Sequence, residues 1–68
     1  MQTTQNQQSL AMREARRRLR LTQFALAKRV GCSESQITKI ETGRATPEKR
    51  LKEAIARELG VATWEVGV

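Results

Sequence analysis

The stretch LTQFALAKRVGCSESQITKIETGRATP, residues 21–47, decides how this chain folds. Thr22 is a capping residue type set directly before QFALAKRV, and Leu26, Ala27 and Val30 share one side of that segment. Gly31 stops it. Ser33 then caps a second helix, and Gln36, three residues on, completes the pattern of a capping box. Ile37 and Ile40 give this helix its apolar side, and Gly43 ends it after Thr42. Only Gly31 and Cys32 stand between the two helices, too few for antiparallel packing, so the axes must cross steeply, at about 90–120°. Ala27 is small where the axes come closest, and Gly31 supplies the positive φ of the turn. Cys32 follows where an apolar plug is needed, which favours a small buried hydrophobe over a reactive thiol.

Working outward, Ser9 is placed to cap a preceding helix that runs to about Leu19, with Met12, Ala15 and Leu19 on one face. On the other side, Thr46-Pro47 opens a further helix with proline at its first position. Its stripe is Leu51, Ala54, Ile55 and Leu59, and Gly60 closes it. The final VATWEVGV, residues 61–68, is long enough for one more turn of helix. Residues 1–9, MQTTQNQQS, have no charge and almost nothing apolar, and read as a disordered tail before one domain at 10–68. No extended strand pattern and no internal repeat occurs. The expectation is an all-α, compact bundle of four to five short helices around a central helix-turn-helix.

With 68 residues the chain has room for one small core, not two domains. Thirteen Lys and Arg against seven Glu give +6, a charge suited to nucleic acid, an anionic membrane surface or an acidic protein. The basic excess is concentrated early, at +5 over residues 1–34 and +1 over 35–68. There is no His, Tyr or Asp, which excludes a Ser-His-Asp triad, and Cys32 alone makes neither an internal disulfide nor a zinc cluster. No run approaches the ~20 apolar residues of a spanning helix, and no signal pattern opens the chain. An anionic-membrane binder fits poorly, because Ala15 sits at the centre of too small an apolar face on the basic first helix. A cytoplasmic binding module remains, without catalytic site, metal or cofactor.

The same stretch resembles the helix-turn-helix of lambda-type repressors, Cro proteins and their Xre-like relatives. The matching residues are Thr22-Gln23, Leu26-Ala27, Gly31, Ser33, Ile37, Glu41 and Gly43, with Pro47 and AIARELGV at 54–61 beyond them. The likeness covers roughly residues 10–66.

This resemblance implies a lambda repressor-like DNA-binding domain whose helix at residues 33–42 lies in the major groove of double-stranded DNA. It implies base contacts from Glu34, Ser35, Lys39 and Thr38, and phosphate contacts from Thr22, Gln23, Gln36, Thr42 and Arg44. The chemistry is suitable: Lys39 donates to guanine O6 or N7, Glu34 accepts from a cytosine amino group, and Ser35 reads either kind of edge. A carboxylate at Glu34 is also favoured by the helix dipole alone. The resemblance further implies an ion pair between Arg16 and Glu41 that ties the first helix to the third, leaving Arg13, Arg17, Arg18 and Arg20 as a solvated face. The implied function is a repressor-like transcriptional regulator, a homodimer on a palindromic site. The alternative is an antitoxin-like regulator whose main partner is a protein, with DNA binding secondary.

Three departures from the family carry expectations of their own, at Arg20, at Phe24 and in the final segment, which is cut short for a full fifth helix. Arg20 stands where relatives often have Gly, so a left-handed backbone there costs ~1 kcal/mol. Phe24, commonly polar in relatives, is expected to cover the core edge, the other reading being exposure for a partner. Trp64 either forms part of a dimer interface, which is slightly favoured, or folds back as a lid on Leu51 and Ile55.

Overall fold

A computed structural model describes the backbone of residues 4–67 and the side chains of residues 10–67. The architecture is all-α. It consists of α1 (Thr4–Arg18), α2 (Gln23–Val30), α3 (Glu34–Glu41) and α4 (Lys49–Leu59), followed by a single 3₁₀ turn (Thr63–Glu65). Helix α2 packs most extensively on α3 and also on α4, while α1 lies across α3, α4 and the 3₁₀ turn.

The two central helices begin and end where their local chemistry dictates. Thr22 is extended, and its Oγ1 accepts from Ala25 N at 2.9 Å. Ser33 does the same for α3, its Oγ accepting from Gln36 N at 3.1 Å, which is the cap residue's half of a capping box. Between them Gly31 is left-handed at φ 80°, and both Gly31 N and Cys32 N donate to Ala27 O at 2.9 Å. The turn is therefore closed by backbone bonds to the same small residue that lets the helices approach. Cys32 is half-buried against the core, and partial burial raises its thiol pKa. That is the environment of a packing residue and not of an activated nucleophile.

The core comprises Met12 and Ala15 from α1, Leu26 and Ala27 from α2, and Ile37 and Ile40 from α3. Ile55, Ala56 and Leu59 of α4 and Val66 near the C-terminus complete it, and Leu21, Val30, Cys32, Leu51 and Val61 pack at its margin. All the expected apolar faces contribute, but on α4 Ala56 is buried in the core and Ala54, expected in the stripe, is only half-buried, and the ends of the faces differ.

Helix α1 starts at Thr4, so Ser9 lies inside it and is not its cap; residues 1–3 lie outside the described residues. Leu19, expected on the buried face of α1, is 49% exposed because the helix stops one residue earlier. Leu19 N bonds back to Ala15 O and Arg16 O, and Arg20 then adopts φ 61°, so the chain turns away before Leu19 reaches the core. Arg20 thus occupies the left-handed conformation for which its position was suspect.

Helix α4 begins later than its proline suggested. Its N-cap is Glu48, and Pro47 precedes the helix as a buried residue. Pro47 is instead packed against the C-terminal segment. A Cβ added to Gly67 would sit 3.0 Å from Pro47 Cδ and 3.1 Å from Ile40 Cγ2, so the backbone at Gly67 covers Pro47 directly. Gly67 has φ +66°, which glycine alone adopts without strain. Val66, fully buried, anchors this return.

Trp64 does not form a lid. It is 66% exposed on the 3₁₀ turn. Three residues per turn set Trp64 and Val66 about 120° apart, so seating Val66 turns the indole outward. Phe24 is exposed as well, and does not cover the core edge; Lys28 Nζ lies 5.5 Å from its ring centroid, within cation–π range.

Candidate nucleic-acid interface

Successive residues of an α-helix are rotated by about 100°. On α3 this places Glu34, Thr38, Thr42, Ser35 and Lys39, in that angular order, within an arc of about 140°. All five are exposed. Ile37 and Ile40 occupy the opposite side, Glu41 borders the arc beside Glu34, and all three are buried. The four residues expected to contact bases therefore share one continuous outward face. Gln36 stands beyond the arc and is half-buried.

The inner edge of this face is fixed by a charged network. Arg16 reaches from α1 to Glu41, with Nε to Oε2 at 2.6 Å and Nη2 to Oε1 at 3.2 Å. Both residues are buried, Glu41 to 1% exposure. The remaining guanidinium arm donates from Nη1 to Leu21 O at 2.8 Å, in the joint between α1 and α2. One side chain thus fixes α3 against α1 and holds the chain entering α2. Among the described residues no buried side-chain nitrogen or oxygen lacks a partner, the condition under which a buried ion pair is tolerated. The pair implied by the resemblance is present.

Gln23 extends the network to the surface. Its Nε2 donates to Glu41 Oε1 at 2.9 Å, and its Oε1 accepts from Thr38 Oγ1 at 2.8 Å. This link was not legible in the sequence, where Gln23 had only an external role. It sits at the first position of α2, 15 residues from Thr38, and nothing local joins the two.

The phosphate-contacting candidates differ in what they have left to donate. Thr22 Oγ1 accepts from Ala25 N, which leaves its proton available to an anionic oxygen. Gln23 keeps its second amide proton beyond the one given to Glu41. Thr42 Oγ1 donates to Thr38 O at 2.8 Å, so a phosphate takes that proton only when the bond is released. Arg44 is exposed in the loop after α3, where Arg44 N donates to Lys39 O at 2.8 Å. Arg17, Arg18 and Arg20 are exposed, whereas Arg29 pairs with Glu58 at 3.5 Å between α2 and α4.

Two short helices crossing at a glycine turn, the second with a polar face turned outward, define a helix-turn-helix protein. A family model described as a helix-turn-helix domain matches residues 10–66, and the chain belongs to this family, as its likeness to lambda-type repressors, Cro and Xre-like relatives implied. It is also 47% identical over 49 residues to an uncharacterized HTH-type transcriptional regulator from Methanothermobacter thermautotrophicus, covering 72% of this chain and 71% of that protein. No solved structure matches the chain at a significant level. No helix among the described residues is long and apolar enough to cross a membrane.

Proposed function

We propose that this protein is a sequence-specific double-stranded DNA-binding regulator, repressor-like in action, that reads the major groove with α3. Membership of the helix-turn-helix family supports a DNA-binding, regulatory role in general terms. The relative's description as a transcriptional regulator supports the same role. The observation that carries the finer reading is the exposed arc of α3, with Thr22 and Gln23 beside it on a chain of net charge +6. In this reading Glu34, Ser35, Thr38 and Lys39 meet base edges, and Thr22, Gln23, Gln36, Thr42 and Arg44 meet the phosphate backbone. The site of action is the cytoplasm.

A single module with one short reading helix contacts few base pairs, so the functional unit is a homodimer on a palindromic site, with half-sites about one helical turn apart. A second reading, an antitoxin-like regulator with a protein partner, is favoured only by the exposure of Phe24 and Trp64. Anisotropy titration of a mixed-sequence duplex against salt tests the electrostatic part. Each phosphate contact adds about 0.9 to the slope of log affinity against log salt. A flat titration refutes DNA binding, and the protein-partner reading then stands alone.

A further inference from the structure

Thr38 and Ser35 share the outward arc of α3, yet their hydroxyls are not equivalent. No side-chain hydrogen bond fixes the Ser35 hydroxyl among the described residues, so it rotates to donate or accept. Thr38 Oγ1 has two protein neighbours, Gln23 Oε1 at 2.8 Å and Glu34 O at 3.2 Å. Both are carbonyl oxygens and accept only. A hydroxyl has one proton, so whichever neighbour takes it, only lone pairs remain to face outward.

The orientation of Gln23 is itself imposed. A carboxylate offers no donor, so the amide must turn its NH₂ toward Glu41, where Nε2 donates to Oε1 at 2.9 Å. That leaves Gln23 Oε1 pointing at Thr38 and nothing else for it to be but an acceptor. Glu41 is fixed in turn by the two-pronged contact from Arg16. Hydrogen-bond direction therefore passes from the buried ion pair through Gln23 to a side chain on the reading face. An amide flip at Gln23 would set two acceptors against each other at Glu41 and break the chain of donors at its first link.

Building on the reading of α3 as the major-groove helix, we propose that Thr38 selects its base pair as an acceptor only. It requires an exocyclic amino group, adenine N6 or cytosine N4, at the point it faces. Gln23 is the positioning residue that fixes this polarity, in addition to any phosphate it touches. Guanine O6 and N7 and thymine O4 offer only further acceptors and are rejected at that point.

The test begins with site selection from random duplexes by the wild-type protein and by Thr38→Val, Thr38→Ser and Gln23→Met. Thr38→Val loses preference at one base-pair position and keeps the others, and Thr38→Ser retains it. Gln23→Met weakens preference at that same position besides lowering affinity for all sites. At that position, deleting the amino group from adenine (purine) or cytosine (2-pyrimidinone) weakens wild-type binding by about 3- to 10-fold more than it weakens Thr38→Val. Replacing purine N7 by C–H has the same effect on both proteins. A Thr38→Val protein with every preference intact overturns the proposal. So does a Thr38-dependent loss on N7 replacement without one on amine deletion. Unchanged preference in Gln23→Met overturns the role of Gln23. Wild-type protein that enriches no sequence refutes the functional reading, and this proposal with it.

Discussion

Arg16→Ala is the substitution that most directly probes how α3 is held. It removes both guanidinium contacts to Glu41, at 2.6 and 3.2 Å, and the contact to Leu21 O at 2.8 Å. Glu41, 1% exposed, then retains only Gln23 as a side-chain donor. Leaving one partner of a buried pair uncompensated costs about 3–5 kcal/mol. A chain of 68 residues has a total stability of roughly 3–10 kcal/mol, so the loss is a large share of it. At ~1 kcal/mol per molar urea, a 3 kcal/mol loss lowers the midpoint by about 3 M. Arg17→Ala, on the same helix but exposed, is the control, and its cost stays within about 0.5 kcal/mol. Replacing the pair together, Arg16→Met with Glu41→Leu, recovers most of the stability, because the uncompensated charge is gone. Urea melts followed by helix circular dichroism measure all three. Equal midpoints for Arg16→Ala and Arg17→Ala refute the buried pair as the tie between α1 and α3.

Three further outcomes follow from the same structure. Lys39→Ala relaxes discrimination at its base pair by about 1–3 kcal/mol while the fold is unaffected, measured by competition between matched and mismatched duplexes; a uniform loss on all duplexes assigns Lys39 to phosphate. Gly67→Ala destabilises more than Gly31→Ala in thermal melts: both have positive φ, at +66° and +80°, but only at Gly67 does the new Cβ meet neighbours, at 3.0 and 3.1 Å. The backbone part is about 1 kcal/mol in each and the crowding adds ~1–2 kcal/mol, so equal losses contradict the docking of the C-terminal segment on Pro47. If Trp64 lies in a dimer interface, its emission shifts to the red as the protein is diluted through the dissociation range followed by sedimentation; a red emission independent of concentration leaves the indole solvent-exposed in a monomer.

The parts of the fold that were legible in the sequence are those fixed by neighbours in the chain. Thr22, Gly31 and Ser33 act within three or four residues of themselves, and α2 and α3 have the bounds their caps dictate. The core stripe was legible for the same reason, since helical spacing alone brings Met12 and Ala15, or Ile55 and Leu59, to one side. The ends of α1 and α4 were not. TQNQQS, residues 4–9, has no apolar period to announce the helix, and Pro47 is drawn into contact with Gly67, 20 residues away, instead of opening α4. Phe24 and Leu19 were placed on the core by hydrophobicity, yet both are exposed, and the exposure of Trp64 excludes the lid while leaving its interface reading open to the dilution test. At the candidate site, residue types on α3 and their common face followed from spacing. The bridge from Glu41 through Gln23 to Thr38 joins two helices and had no local signal.

Selection of bound duplexes from a random pool, with the wild-type protein at moderate salt, tests the central claim most directly. The account predicts an enriched sequence with two-fold symmetry, its half-sites about one helical turn apart. Recovery of a pool indistinguishable from the input, under conditions where the protein is folded and binds DNA, contradicts sequence-specific reading by α3.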